Sequence, residues 1–350
     1  MPRLFLGYFR IKQYKGKIMR SSFKQTYSLT KYLLKNRISS IKRFPLVLML
    51  EITHNCNLTC EGCGRILEFK ETMDRKMSVD ECMQAADECG APVVSVTGGE
   101  PFLHPDLDKI VNGLIAKRRH IYLCTNGITL GNSLEKFRPG PYLNINVHLD
   151  GMAETHDRIV GAKGIFKKAT DSIKKAKQMG FNVCTNTTIF KDTDPKEIEE
   201  LFAFLTKIGI DGLLVSPGFS FEDNSNDVFI QKEEFQKKFS FIYELSKRYK
   251  IMNTPIYLKF LMGERNLACT PWGNPTRNYL GWKGPCYLIT DAYYKTFQEL
   301  MDNTDWNKYG TGKDPRCQNC MVHCGFEPTV VLQAGKSFKD VYEMARWNFS

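Results

Sequence analysis

This sequence of 350 residues lacks the features of secreted and membrane-spanning proteins. It has no uninterrupted apolar run of about 18 residues or more, so no transmembrane helix is expected. The basic N-terminus is not followed by the apolar segment and small-residue cleavage site of a signal peptide. Low-complexity segments are also missing, and the only internal repetition is an alternation of strands and helices. Without a secretion signal, the twelve cysteines indicate a reducing compartment and metal ligation rather than disulfide bonds.

Acidic residues are missing from the first 45 positions, which contain twelve lysines and arginines. Aromatic and aliphatic residues are interleaved with these cations at helix-like spacing. This combination is typical of an amphipathic element on an anionic membrane surface, where each cation contributes on the order of 1 kcal/mol. We therefore predict that residues 1–44 dock a cytoplasmic protein peripherally on the inner face of the membrane, and we expect no nucleic-acid partner. The alternatives are a solvated basic extension that packs on the folded domain, and nucleic-acid binding.

Between residues 45 and 250, short apolar runs alternate with helical patterns. The predicted strands lie near residues 45–52, 92–96, 121–124, 143–149, 181–189 and 212–216. The first helix after a strand has a capping box formed by Ser78 and Glu81. The alternation predicts an α/β fold, with a parallel sheet covered by helices in a partial (β/α)6 barrel. Residues 251–350 are rich in Trp, Tyr and Cys, and we predict a C-terminal cysteine-rich module that closes the barrel.

Three cysteines share one short loop after the first predicted strand. Cys56, Cys60 and Cys63 have the spacing Cys-X3-Cys-X2-Cys. An electron-transfer cluster is normally held by four cysteines, so three thiolates on a four-iron cube would leave one iron free to bind a small molecule. The alternatives are three unrelated buried thiols or a zinc site, for which His54 is the only nearby fourth ligand.

Small polar residues follow the predicted strands, at the edge of a parallel sheet where ligands bind. Gly98, Gly99 and Glu100 belong to the run Thr-Gly-Gly-Glu-Pro after the second strand, where adjacent glycines allow close approach of a ligand. Further candidates for cofactor binding are Thr125, Asn126, Asp150, Asn186 and Ser216. Ordinary capping of strand ends is the alternative for each of them. Cys124 is a candidate hydrogen-atom donor, or else a small core residue.

A second group of cysteines lies near the C-terminus. Cys317, Cys320 and Cys324 are close in sequence, and Cys286 is a candidate fourth ligand. The group predicts a second iron–sulfur cluster or a zinc ion, and a reduced cysteine-rich cap without metal is the alternative.

The loop of three cysteines and the Gly-Gly-Glu-Pro motif together resemble the signature of the radical S-adenosylmethionine (SAM) superfamily. The resemblance implies a 4Fe–4S cluster on Cys56, Cys60 and Cys63, whose open iron binds SAM, with Gly98, Gly99 and Glu100 holding the methionyl group. It also implies reductive cleavage of SAM to a 5′-deoxyadenosyl radical, with an electron donor such as flavodoxin or ferredoxin.

Longer segments are similar to the adenosylhopane synthases of hopanoid biosynthesis. They are residues 88–101, 122–126, 147–151, 215–219, 269–278, 285–288, 305–306, 309–312 and 317–323. This resemblance implies a transferase of lipid metabolism that adds the radical to the double bond of diploptene, a hydrophobic polycyclic substrate. An apolar tunnel would then be needed, with candidates Phe219, Phe221, Tyr257, Phe260, Leu261, Trp272, Tyr279 and Trp282, and a place in the packed core is the alternative for each. The alternatives are a radical SAM enzyme for another lipid or a peptide, with an auxiliary cluster, and a non-catalytic iron–sulfur or zinc protein.

Overall fold

One sheet of nine strands organises the part of the chain that the computed structural model describes, namely residues 20, 22–219, 229, 230, 232–334 and 337–349. The strands are β1 (Val47–Thr53), β2 (Val93–Gly98), β3 (His120–Thr125), β4 (Leu143–His148), β5 (Asn182–Ile189), β6 (Gly212–Pro217), β7 (Thr276–Asn278), β8 (Gly281–Pro285) and β9 (Thr290–Tyr294). Their order is β6-β5-β4-β3-β2-β1-β7-β8-β9. The first six strands pair in parallel, which confirms the predicted α/β fold.

Helices connect and cover these strands. They are α1 (Phe23–Ile38), α2 (Gly64–Glu68), α3 (Val79–Cys89), α4 (Leu107–Ala116), α5 (Leu130–Ser133), α6 (Ala153–Ile159), α7 (Ile165–Gln178), α8 (Pro195–Lys207), α9 (Lys232–Ser246), α10 (Pro255–Leu261), α11 (Phe297–Asn303), α12 (His323–Ala334) and α13 (Phe338–Asn348). The strand–helix alternation predicted between residues 45 and 250 is confirmed, with α2, α5 and α6 as additional short helices.

Local sequence explains where the elements begin and end. The side chain of Ser78 accepts from the Glu81 amide at 3.2 Å, and the Glu81 carboxylate accepts from the Ser78 amide at 2.7 Å, so the predicted capping box begins α3. Gly90 ends the same helix with a left-handed φ of 66°. In β1, six of the seven residues are buried, as expected for a strand covered on both faces.

Parallel pairing brings the carboxyl ends of the first six strands to one edge of the sheet. Thr53 at the end of β1 is opposite Gly98 at the end of β2, and Thr125 of β3 is opposite Val147 of β4. The cysteine loop and the Gly-Gly-Glu-Pro motif leave the sheet side by side at this edge. The sequence therefore concentrates its polar motifs in one place.

Helix α1 covers the opposite end of the sheet, where the strands begin. The Lys24 ammonium lies 4.2 Å above the ring of Tyr142, just before β4, and Tyr32 packs edge-on against Phe44, just before β1, at 5.8 Å. Both partners precede the strands, so α1 crosses their amino-terminal ends. Sequence periodicity alone did not indicate this contact.

The outer face of α1 is apolar and exposed. Phe23 is 73% exposed, Tyr27 62% and Ile38 83%. The rest of the predicted docking extension, residues 1–19 and Ser21, lies outside the described residues. Among the helices that the structure describes, none has both the length and the apolar character needed to cross a membrane.

The C-terminal part of the chain continues the same sheet. β7 pairs in parallel with β1, and β8 and β9 follow in antiparallel order. This arrangement places the second group of cysteines beside β1 and the loop that follows it.

Candidate functional site

The loop after β1 brings Cys56, Cys60 and Cys63 together. All three thiols are free and half-buried. Burial raises the pKa of Cys56 to about 11 and that of Cys60 to about 12, and repulsion from the neighbouring thiols adds to both shifts. The loop rests on an apolar cluster of Leu58, Val160 and Ile165. Three soft sulfur ligands in one supported loop are a donor set that fits an iron–sulfur cluster.

Two glycines allow the Gly-Gly-Glu-Pro motif to lie directly against this loop. The amide of Gly99 donates to the Thr53 carbonyl at 2.8 Å, and the amide of Glu100 donates to the Asn55 carbonyl at 2.7 Å. A Cβ atom at Gly98 would lie 2.1 Å from the Thr53 carbonyl oxygen, and one at Gly99 would lie 2.1 Å from that of Asn55. Only glycine permits this contact, so the motif and the cysteine loop form one unit.

The carboxylate of Glu100 joins the ends of two strands. Its Oε1 accepts from the Thr125 hydroxyl at 2.8 Å and from the Phe102 amide at 3.0 Å, while Oε2 accepts from the Asn126 amide at 2.7 Å. Burial raises the pKa of Glu100 to about 7. The Asn126 side chain in turn donates to Asn57, inside the cysteine loop, at 2.7 Å. The structure therefore brings Glu100, Thr125 and Asn126 together beside the cysteines, and their contact with SAM remains a prediction.

Asp150 is the centre of a buried group after β4. Its Oδ2 lies 2.5 Å from His148 Nε2, and its Oδ1 accepts from the Thr188 amide at 2.7 Å. Burial opposes protonation of His148, but the Asp150 charge and hydrogen bond raise the His148 pKa above its ordinary value. Burial lowers the pKa of His156 to about 4, and this neutral ring accepts from the Asp150 amide at 3.3 Å. Asp150 is only 1% exposed, so its carboxylate contacts His148 and the backbone rather than an open surface. Its predicted contact with a ligand stays a prediction.

Asn186 and Ser216 form a second group on β5 and β6, the strands that follow β4 in the sheet. The Ser216 hydroxyl donates to Asn186 Oδ1 at 3.2 Å and lies 2.9 Å from His323 Nδ1. His323 precedes Cys324 at the start of α12, so this group connects the strand ends to the C-terminal cysteines. The predicted cofactor residues are therefore divided between two groups.

Leu123 and Thr125 of β3 are buried, and Cys124 between them is half-buried. Because successive side chains of a strand point to opposite faces, Cys124 lies on the face of β3 that the helices do not cover. Its sulfur lies 3.5 Å from Ser95 Oγ and 3.7 Å from Asn146 Nδ2. Burial raises the pKa of Cys124, so the thiol keeps its proton at neutral pH. The inner face of the sheet is thus polar and carries one half-buried S–H group on β3.

The C-terminal cysteines converge around one cavity. Its lining includes Cys269, Cys286, Cys317 and Cys320, together with Phe219 and Leu288. Cys324 packs against the same apolar cluster as Cys286, Cys317 and Cys320. Burial raises the pKa of Cys269 well above its ordinary value, and repulsion from the other four thiols adds to the shift.

Cys269 belongs to the C-terminal cysteines of the sequence, but the sequence alone did not indicate it as a ligand. It is separated from Cys286 by the β7–β8 hairpin, which folds back on β1 and brings the two thiols to one cavity. Its sulfur would lie 2.6 Å from a Cβ at Gly325, so the absence of a side chain there leaves room for it. The only signal in the sequence was an additional cysteine just before the hairpin.

Part of the predicted apolar tunnel is wrong. Tyr257, Leu261 and Trp282 are no more than 1% exposed and belong to the packed core, so they line no tunnel. Phe219 lines the C-terminal cysteine cavity, and Phe221 lies outside the described residues.

Comparison with protein families agrees with this geometry. Residues 50–205 match the sequence model of the radical SAM superfamily, and residues 213–344 match a domain of unknown function, DUF3463. The chain therefore carries a radical SAM domain, whose implied cofactors are a 4Fe–4S cluster and SAM. The thiol set of the first loop and its contact with Gly98 and Gly99 fit both.

Curated relatives include two kinds of enzyme. The chain is 26% identical to an AdoMet-dependent heme synthase of Oleidesulfovibrio alaskensis, over 68% of this chain and 66% of the relative. It is 29% identical to a heme synthase of Methanosarcina barkeri, over 59% of this chain and 60% of the relative. A probable GTP 3′,8-cyclase of Methanococcus maripaludis is 26% identical over 74% of this chain and 91% of that protein. The chain thus spans less than two thirds of the length of the two heme synthases.

Solved structures share the fold at low sequence identity. anSMEcpe with bound AdoMet gives a TM-score of 0.59 at 17% identity, over 86% of this chain and 93% of that chain. Streptococcus suis SuiB bound to the precursor peptide SuiA gives 0.57 at 16% identity, over 71% and 61%. These likenesses support the fold, while the resemblance to adenosylhopane synthases stays a proposal.

Proposed function

We propose that the protein is a radical SAM enzyme that adds a 5′-deoxyadenosyl radical to the double bond of a hopene, giving adenosylhopane. The bound, reduced cluster on Cys56, Cys60 and Cys63 would supply the electron that cleaves SAM. The loop would be kept in place by its backbone contacts with Gly98 and Gly99 and by the hydrogen bonds of Glu100. The similarity of the sequence segments described above supports the choice of substrate.

The observation that carries this proposal is the position of Cys124. Radical addition to a double bond leaves a carbon radical on the product, and the reaction ends only when that radical gains a hydrogen atom or an electron and a proton. A protonated thiol is a good hydrogen-atom donor, and burial keeps Cys124 protonated. Ser95 and Asn146 hold its sulfur on the inner face, where a substrate would lie.

The electrons and protons of this sequence balance. One electron cleaves SAM to methionine and the radical, which forms a C–C bond to the hopene. Cys124 then transfers a hydrogen atom to the product and becomes a thiyl radical. A second electron and a proton restore the thiol, so each turnover consumes two electrons from a reductant such as a flavodoxin or ferredoxin.

The test is an anaerobic assay with SAM, dithionite and diploptene in D2O, with products measured by mass. The wild type is expected to form adenosylhopane that carries deuterium from the exchanged thiol. Cys124→Ala should still cleave SAM but should form at least tenfold less deuterated product, because the donor is missing. Presenting diploptene in anionic vesicles instead of detergent should increase turnover if the N-terminal extension docks on a membrane.

The matched control is Cys184→Ala. Cys184 is a buried thiol on β5, which β4 separates from β3, and its sulfur lies 3.6 Å from Asn146 Oδ1. This variant should form product as the wild type does. Equal deuterium incorporation by Cys124→Ala would reject the donor role, and SAM cleavage without any adduct in the wild type would reject the hopene substrate.

We also propose that the C-terminal cysteines hold a second iron–sulfur cluster. The five thiols lie around one apolar cavity and form a soft sulfur donor set that fits an iron–sulfur cluster. Cys269 joins Cys286, Cys317, Cys320 and Cys324 as a candidate ligand.

Metal analysis of anaerobically purified protein tests the second site. The wild type should contain about eight irons per chain, the content of two 4Fe–4S clusters. Replacing Cys317, Cys320 and Cys324 with alanine should lower this to about four without loss of the cluster on the first loop. Iron for only one cluster in the wild type, or zinc in place of the second, would contradict the proposal.

A second candidate function is the modification of a peptide or another lipid. The polar inner face, with Ser95, Asn146 and Asn186, favours a substrate that has hydrogen-bonding groups. SuiB, a solved structure with the same fold, is bound to its precursor peptide SuiA, so a peptide is the polar substrate to test first. Absence of the hopene adduct, with SAM cleavage stimulated by a polar substrate, would favour it.

A further inference from the structure

A buried charge network lies between the first cysteine loop and the C-terminal part. Its centre is Arg65, on the short helix α2 that begins directly after Cys63. The guanidinium forms an ion pair with Glu51 of β1 and a second pair with Glu68 at 3.2 Å. The Arg65 side chain is only 8% exposed, so water screens these pairs weakly.

Aromatic rings enclose the same guanidinium. Its carbon lies 4.1 Å from the ring centre of Tyr287 and 5.2 Å from that of Phe69. Arg65 Nε also donates to the Tyr287 hydroxyl at 3.3 Å. A planar guanidinium can stack and form hydrogen bonds at the same time, which a lysine cannot do.

A second cation completes the network. Lys283 of β8 is fully buried and pairs with Glu68. Its ammonium also donates to the Tyr287 carbonyl at 2.9 Å, and the Thr290 hydroxyl donates to Glu68 at 3.0 Å. Glu51 and Glu68 are therefore matched by two cations, and the network is neutral as a whole.

The network reaches both cysteine sites. Cys63 is two residues before Arg65, and Cys286 directly precedes Tyr287. A chain of contacts thus runs from the first loop to the second through one arginine.

We propose that Arg65 is a positioning residue that couples the two cysteine sites, so that its charge and its contacts set the environment of both metal centres. This inference rests on the proposed function, since it concerns the two proposed clusters. Reduction potentials of iron–sulfur clusters respond to nearby charge and hydrogen bonding, and a charge in a weakly screened interior acts strongly. A change at Arg65 would therefore alter the electrostatic environment of both cysteine sites at once.

The experiment compares Arg65→Gln, Arg65→Lys and Tyr287→Phe in the full-length protein. Arg65→Gln removes the charge, so the reduction potentials of both clusters should become more negative, as followed by EPR during redox titration. Arg65→Lys keeps the charge and should restore most of both potentials. Tyr287→Phe, a mild change that keeps the ring, should shift the EPR line shapes of both clusters slightly and leave the fold intact.

Hydrogen exchange gives a readout that does not need the metals. In metal-free protein, Arg65→Gln should lower amide protection both near residues 61–68 and near residues 286–290. The matched control is Arg158→Gln, because Arg158 pairs with Glu61 in the same cysteine loop but is 62% exposed. Solvent and salt screen that pair, so the control should leave potentials and exchange unchanged.

The outcomes separate this inference from the proposed function. A response confined to the first loop in both potential and exchange would overturn the coupling. Wild-type protein without a second cluster would reject the second metal site, while loss of exchange protection in both loops would still support the coupling through Arg65.

Discussion

Replacing Cys56, Cys60 and Cys63 together with alanine is expected to remove about four irons per chain and all cleavage of SAM. Three thiolates from one loop are the only protein ligands proposed for the first cluster, so no partial site would remain. The measurements are iron and sulfide content after anaerobic purification, and the yield of 5′-deoxyadenosine with dithionite. The iron assigned to the C-terminal site should persist.

Cys82→Ala is the control for loss of a thiol. Cys82 is fully buried in α3 and is part of the packed core, away from both cysteine sites. Its replacement should cost some stability through a small cavity but should leave iron and SAM cleavage unchanged. If the triple variant kept its full iron content, the assignment of the first cluster would be wrong.

Gly99→Ala should produce the second large effect. Its Cβ would lie 2.1 Å from the Asn55 carbonyl oxygen and 2.7 Å from that of His54. Both are backbone atoms, which cannot rotate away as a flexible side chain can. Overpacking of this kind costs about 3 kcal/mol, which corresponds to roughly 100-fold in an equilibrium constant. We expect SAM affinity, measured by calorimetry on the reconstituted protein, to fall by about that factor.

Gly140→Ala is the matched change. Apart from Gly140 and its two chain neighbours, no residue has an atom within 4 Å of a Cβ placed at Gly140, and its φ is outside the left-handed region. This variant should bind SAM as the wild type does and should have equal or slightly higher thermal stability. Unchanged affinity in Gly99→Ala would mean that the contact between the motif and the cysteine loop does not support SAM binding.

Much of the fold could be predicted because its signals are local. Apolar runs bounded by turn residues identified β1 to β6, and the Ser78–Glu81 capping box identified the start of α3. The edge that carries the site followed from parallel pairing, since Gly98 and Thr125 end neighbouring strands. These inferences needed only residues close in sequence and the general geometry of α/β sheets.

What the sequence did not indicate depends on contacts between distant segments. Arg65 and Tyr287 are 222 positions apart, and nothing near either residue specifies the other. Cys269 reaches its cavity only because β7 pairs with β1. The buried carboxylate of Glu100 is a similar case, because three donors from Phe102, Thr125 and Asn126 determine its direction. Such partners become visible only when the sheet is assembled.

The position of α1 has a consequence for how the molecule would be oriented. α1 crosses the amino-terminal ends of the strands, while the cysteine loop follows the carboxyl end of β1. A strand of six residues such as β3 is about 20 Å long, so about that distance separates the two ends of the sheet. A protein that rests on a leaflet through Phe23, Tyr27 and Ile38 would turn the cysteine loop toward the aqueous phase. Water-soluble SAM and a protein reductant would then approach one end, the bilayer would occupy the other, and a hopene would have to leave the bilayer and travel about 20 Å to reach the site.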